Sequence, residues 1–100
     1  MTRPAPLAGD ERQAALAALD GWHEAPDRDA IVKTFTFRNF NQAFGFMTRS
    51  ALLAERMDHH PEWFNVYKTV EVTLATHDAD GVTDLDLRMA KAMDRYAAEG

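Results

Sequence analysis

The chain contains no cysteine, which excludes disulfides, thiolate-bound metals and a cysteine nucleophile together and fits a reducing compartment. No apolar run approaches the ~18 residues that a membrane-spanning helix needs. Lys and Arg are nowhere clustered and the net charge is −5, which argues against a direct DNA- or RNA-binding surface, since such binding depends on a basic patch that neutralises phosphates. The opening Met1-Thr2-Arg3-Pro4-Ala5-Pro6 lacks the apolar centre of a secretory signal. Residues 1–8 read as a loose arm, and the expected location is cytoplasmic.

What is there is ordinary globular composition, with 46% hydrophobic and 27% charged residues in 100 positions, enough for one domain with a single two-layer core. Asp10 to Leu19 reads as an alanine-rich helix, with acids at its positive end and Gly21 as its stop. Gly21 to Ala25 is short enough for an edge strand, and Pro26-Asp27-Arg28-Asp29 is a turn composition. Ala30 to Arg38 alternates, with Ile31, Phe35 and Phe37 on one face and Lys33 interrupting that row. A second helix is expected from Asn39 or Asn41, both good caps, with Phe40, Phe44, Met47, Ala51 and Ala54 as its buried stripe. Pro61 ends it and pushes His60 out of helical geometry. Trp63–Tyr67 and Val70–Thr76 read as a tight hairpin whose core face is Val70, Val72 and Leu74. Thr83 and Asp86 match a capping box for a last helix. The predicted fold is α+β: a four-stranded antiparallel sheet with three helices on one face, in the order α-β-β-α-β-β-α. Such a sheet leaves a face or edges to be covered, so a homodimer or homotetramer is expected.

Chemistry concentrates in Glu55-Arg56-Met57-Asp58-His59-His60-Pro61-Glu62-Trp63, where a helical pattern gives way to a strand pattern. His77 and Asp86 lie just beyond later elements. Each residue has a plain structural reading: a histidine at a helix C-terminus complements the dipole, His77 is a surface residue at a strand end, Asp86 caps its helix, Glu55 is solvated, and Trp22 and Trp63 are core. The gathering of three histidines and two carboxylates at element ends is less easily dismissed. A metal site suits the side chains but not the spacing, because His-x-x-x-His and His-x-His are both absent. Metal-free acid–base catalysis suits both, since imidazole exchanges protons near neutrality and Glu55, four residues before His59, is spaced to orient that ring.

Glu55, His59-His60-Pro61, Tyr67, His77 and Asp86 are separated by three, five, nine and eight residues. At these positions the chain resembles the pterin-4a-carbinolamine dehydratases (4a-hydroxytetrahydrobiopterin dehydratases). Asp58 to Tyr67, the stretch Asn41-x-Ala43-Phe44-Gly45-Phe46-Met47-Thr48-Arg49, and Gly21-Trp22 followed by Asp29-Ala30-Ile31 carry the likeness further, over about residues 10–97. The resemblance implies the same α+β order and one reaction: loss of water from a 4a-hydroxytetrahydropterin to give quinonoid dihydropterin, in recycling after an aromatic amino acid hydroxylase. No metal or organic cofactor is implied.

On this reading His59 and His77 are the acid/base pair and His60 binds or positions the substrate. Glu55 orients a histidine or meets the amino-pyrimidinone edge of the pterin, and Asp86 supports His77 while capping its helix. Trp22 is a pocket wall, and Asp58, Pro61 and Trp63 join the substrate-binding or orienting set. Some animal members of the family also bind a homeodomain transcription factor. That supplies an alternative of a different class: a protein-interaction module, as a transcriptional coactivator or hydroxylase partner, whose pterin pocket is vestigial or secondary.

Overall fold

A computed structural model describes residues 5–99. The elements follow the order α1 (Gly9–Ala17), β1 (His23–Glu24), β2 (Ile31–Thr36), α2 (Phe40–Met57), β3 (Glu62–Val66), β4 (Thr69–Leu74), a 3-10 turn (His77–Ala79) and α3 (Asp84–Glu99). The four strands form one antiparallel sheet in the order β1-β2-β4-β3, so two sequential hairpins are joined through a central β2–β4 pair. The predicted fold class and element order are those observed.

Alternation dictates the core face. Ile31 and Phe35 of β2 and Val70, Val72 and Leu74 of β4 are buried together with Ala43, Phe46 and Ala54 of α2 and Met89, Ala90 and Met93 of α3. Lys33 sits within the apolar row because its ammonium has partners: it reaches Asp94 Oδ1 of α3 at 2.8 Å and the Asp20 carbonyl at 2.6 Å, and it lies 4.7 Å from the Phe35 ring centroid. The β3–β4 turn is closed by Tyr67, in a left-handed conformation (φ 51°), between the paired residues Val66 and Thr69.

Two expectations need correction. The helix predicted from Asp10 to Leu19 ends at Ala17 and buries none of its own residues; Leu19, beyond its end, enters the core instead. The buried stripe of α2 is Ala43, Phe46, Ser50 and Ala54, while Phe40 (48%) and Phe44 (56%) are exposed, as is Ala51. Both sets have helical spacing, so α2 is apolar on two faces. The buried face seats Phe46 against Phe35 of β2, with ring centroids 4.7 Å apart, between the small residues Ala43, Ser50 and Ala54. Asn39 caps α2 as expected, accepting from the Gln42 amide at 2.9 Å.

Of the predicted arm, residues 1–4 lie outside the described residues. Leu7 is tied in, its amide donating to the Val82 carbonyl at 2.8 Å.

Candidate active site

The C-terminus of α2 sets the site. Asp58 takes a left-handed conformation (φ 52°, ψ 46°), and the His59 amide donates back to the Ala54 carbonyl at 3.1 Å, closing the last turn. Aspartate tolerates this geometry better than most side chains. The chain therefore leaves the helix one residue before the histidine pair. His59 turns inward and is 3% exposed, whereas His60, held extended by Pro61, faces solvent.

At the same end of the sheet, the 3-10 turn after β4 brings His77 and Asp78 across from this corner. Asp58, His59, His60, Ala75, His77 and Asp78 line a cleft of about 180 Å³. Each of its three histidines has its own carboxylate: His59 Nε2 lies 2.6 Å from Asp86 Oδ1, His60 Nε2 lies 2.5 Å from Glu55 Oε2, and His77 Nε2 lies 3.2 Å from Glu62 Oε2. Two of these pairings differ from expectation. Glu55 meets His60 rather than His59, because an i, i+4 contact needs both residues on the helix and His59 has left it. Asp86 meets His59 rather than His77.

The His59–Asp86 pair is the rigid one. Asp86 is fully buried and its Oδ2 accepts from the Thr83 amide (2.9 Å) and the Thr76 hydroxyl (2.8 Å). Thr76 and Thr83 hydroxyls are 2.6 Å apart. A hydroxyl has one proton, so with that of Thr76 given to Asp86, the short contact takes its proton from Thr83. Thr83 Oγ1 in turn accepts from the Leu85 amide at 3.2 Å. The capping box of α3 and the support of His59 are thus one network, in which both Asp86 oxygens and both threonine hydroxyls are engaged. A carboxylate only accepts, so Nε2 is the His59 nitrogen that donates to Asp86.

The outer pairs are solvent-exposed, but Glu62 is anchored. Arg28, in the β1–β2 turn, donates both guanidinium arms to its two oxygens at 2.7 and 2.8 Å. The Arg28 hydrogen bonds, then that from His77, hold the Glu62 carboxyl down at about 2 against an ordinary 4.5. Its folded-state value is depressed, so the stability it contributes is complete above about 4.5 and is lost as pH falls through about 2. Because Glu62 is 43% exposed, solvent screens the pair and the effect is small. The gap in urea midpoint between wild type and Glu62→Gln is expected to narrow steadily between those limits; a gap independent of pH would contradict the assignment.

The remaining predicted residues fall elsewhere. Trp22 is not on the cleft: it is 5% exposed, packs edge-on against Phe35 at 5.9 Å and donates its indole N–H to Asp94 Oδ1 at 3.1 Å. A two-residue edge strand places it over the core side of the sheet. Trp63 likewise packs against the core, and Pro61 is half-buried outside the lining. Glu62, Arg28 and Thr76 were missed. Glu62 lies inside the stretch Glu55–Trp63, but nothing local reveals its partners, which are 34 and 15 residues away. Among the described residues, no group of three or more His, Cys, Asp or Glu side chains is placed to hold a metal ion, and no helix is long and apolar enough to cross a membrane.

The protein is thus an α+β domain that gathers three histidine–carboxylate pairs around a helix end and a strand-end turn. The family model for pterin 4 alpha carbinolamine dehydratase matches residues 5–96, and the chain belongs to that family. A Bradyrhizobium protein (strain ORS 278), carried under the provisional name pterin-4-alpha-carbinolamine dehydratase, is 64% identical over 92 residues, which is 92% of each chain. A Nitrobacter hamburgensis protein of the same provisional name is 62% identical over 93 residues, 93% of this chain and 92% of that one. Among solved structures, a transcriptional coactivator/pterin dehydratase from Brucella melitensis superposes with a TM-score of 0.90 at 53% identity, covering 92% of this chain and 98% of that one. A pterin dehydratase-like protein identified as a RuBisCO assembly factor in the alpha-carboxysome shares the fold at a TM-score of 0.67 and 23% identity, over 77% and 89% of the two chains.

Proposed function

We propose that this protein dehydrates a 4a-hydroxytetrahydropterin to quinonoid dihydropterin, with His59 and His77 as its acid/base pair. The observation that carries the reading is the placement of these two rings on one cleft, each with a carboxylate behind it. In the reaction the C4a–O bond breaks as its oxygen takes a proton and leaves as water. The N5–H proton departs, and its electron pair forms the C4a=N5 double bond. One histidine delivers the first proton and the other removes the second. The two therefore end with their protons exchanged, and the exposed His77 can re-equilibrate with solvent. Asp86 holds the His59 ring in one tautomer and orientation, the role a buried carboxylate plays behind a catalytic imidazole. His60, steadied by Glu55 at the exposed rim, is a positioning group for the substrate, as is Asp58. Nothing in this chemistry calls for a metal or organic cofactor.

The test is direct: 4a-hydroxytetrahydropterin is generated by an aromatic amino acid hydroxylase, and its dehydration is followed by ultraviolet absorbance with and without the protein. Acceleration over the spontaneous rate is expected, and a folded protein that gives none would remove the assignment. The second reading, a protein-interaction module with a secondary pterin pocket, would then be favoured. It draws on exposed apolar side chains: Phe40, Phe44 and Leu52 on α2, and Phe64, Val66 and Tyr67 at the end of the sheet. Under the enzyme reading the same side chains support a homo-oligomer, since β3 is an edge strand with an unpaired side. Sedimentation velocity at micromolar concentration is expected to show a dimer or larger; a monomer mass throughout would overturn this.

A further inference from the structure

Two of the three cleft histidines raise different physical problems. His59 is buried and held by packing and a satisfied network. The His77 side chain is 68% exposed, and an exposed histidine paired with a mobile carboxylate gains little from it, because surface ion pairs lose most of their energy to screening and side-chain entropy. The structure answers this by fixing the carboxylate. Arg28 grips Glu62 through both oxygens, and a bidentate guanidinium fork permits one orientation of the carboxylate plane. Glu62 Oε2, already shared with Arg28 Nη2 at 2.8 Å, then faces His77 Nε2 at 3.2 Å. Three separate segments meet here: the β1–β2 turn, the first residue of β3 and the turn after β4.

We propose that Glu62 and Arg28 are positioning residues for His77, resting on the dehydratase reading above: Arg28 fixes Glu62, and Glu62 holds the His77 ring with Nε2 protonated and Nδ1 turned to the cleft. The exposed pair thereby acquires the orientation that burial and the two threonines give His59. The low value of the Glu62 carboxyl, about 2, keeps it an acceptor throughout the neutral range. The arrangement makes Glu62 act through His77 and not on the substrate.

A four-way comparison of wild type, Glu62→Ala, His77→Ala and the double variant tests this in the dehydration assay. Glu62→Ala is expected to lower kcat about tenfold with KM changed by less than about twofold, the pattern of a group that serves proton transfer rather than ground-state binding. In the His77→Ala background the same substitution is expected to cause no further loss. Arg28→Met falls between wild type and Glu62→Ala. Equal losses from Glu62→Ala in both backgrounds would overturn the proposal. A second readout does not depend on turnover. Long-range proton–nitrogen NMR of the neutral His77 ring is expected to show the Nε2–H tautomer dominant in wild type and both tautomers in Glu62→Ala. An unchanged ring spectrum would also overturn the proposal. If wild type fails to accelerate dehydration, the reaction is wrong, while the tautomer readout still decides whether Glu62 and Arg28 set this ring.

Discussion

Replacing His59 by glutamine is expected to lower kcat/KM for carbinolamine dehydration by about two to four orders of magnitude, the range that a positioned general acid or base contributes. Glutamine is the informative choice. Its amide nitrogen reaches roughly where Nε2 sits, so it can still donate to Asp86 Oδ1, now 2.6 Å from the ring. The network of Thr76, Thr83 and Asp86 stays satisfied, and the fold is expected to hold with little change in melting temperature. What glutamine cannot do is exchange a proton near neutral pH. His59→Ala should show the same rate loss together with a stability loss of about 1–3 kcal/mol, because it leaves a buried carboxylate oxygen unpaired. Absorbance kinetics and urea midpoints on both variants separate the two effects. A His59→Gln protein with full turnover would show that the ring is structural.

Asp86→Ala is expected to cause the largest combined effect. It removes the acceptor of three groups at once: the Thr83 amide, the Thr76 hydroxyl and His59 Nε2, all at a fully buried site. Removing one partner of a buried, hydrogen-bonded pair destabilises by about 3–5 kcal/mol, a large share of the ~5–15 kcal/mol that holds a domain of this size together. It also removes the Asp86 half of the capping box of α3, leaving only Thr83 Oγ1 on the Leu85 amide. Asp86→Asn divides the result. The amide keeps an oxygen for Thr83 and Thr76, so most of the stability should return. Its NH₂ then faces His59 and favours the opposite tautomer, so activity should stay low. Urea denaturation, with m-values checked for constancy, and the dehydration assay are the measurements. Recovery of rate along with stability in Asp86→Asn would mean that the carboxylate serves the fold alone.

How much of this was legible beforehand differs by element. The strand faces were, because a period of two leaves one choice once Val70, Val72 and Leu74 are read as core. The stop of α2 was legible only to within a few residues: Pro61 forbids continuation, but the helix already ends at Met57, before the left-handed Asp58. The buried face of α2 was legible only in part: Ala54 is buried and Met47 packs on the core, but Phe40, Phe44 and Ala51 face outward. Phe40, Phe44 and Ala51 satisfy the helical spacing as well as Ala43, Phe46 and Ser50 do, and hydrophobicity favours the wrong set. Trp22 shows the same limit, since an indole at the start of an edge strand can turn to either face.

The sequence by itself determined the composition class, the element order, the family resemblance and the short stretch around His59 that lines one side of the cleft. These depend on local periodicity, capping and spacing along one chain. Only the tertiary structure decided which acid stands behind which histidine: Asp86 behind His59, Glu55 behind His60, Glu62 behind His77. Hydrogen bonds need distances near 3 Å between particular atoms, and those distances are set by how β4, the turn after it and α3 pack against the end of α2. Because α2 stops before the left-handed Asp58 and not at Pro61, His59 is off the helix, and Glu55 stands behind His60 while Asp86 stands behind His59.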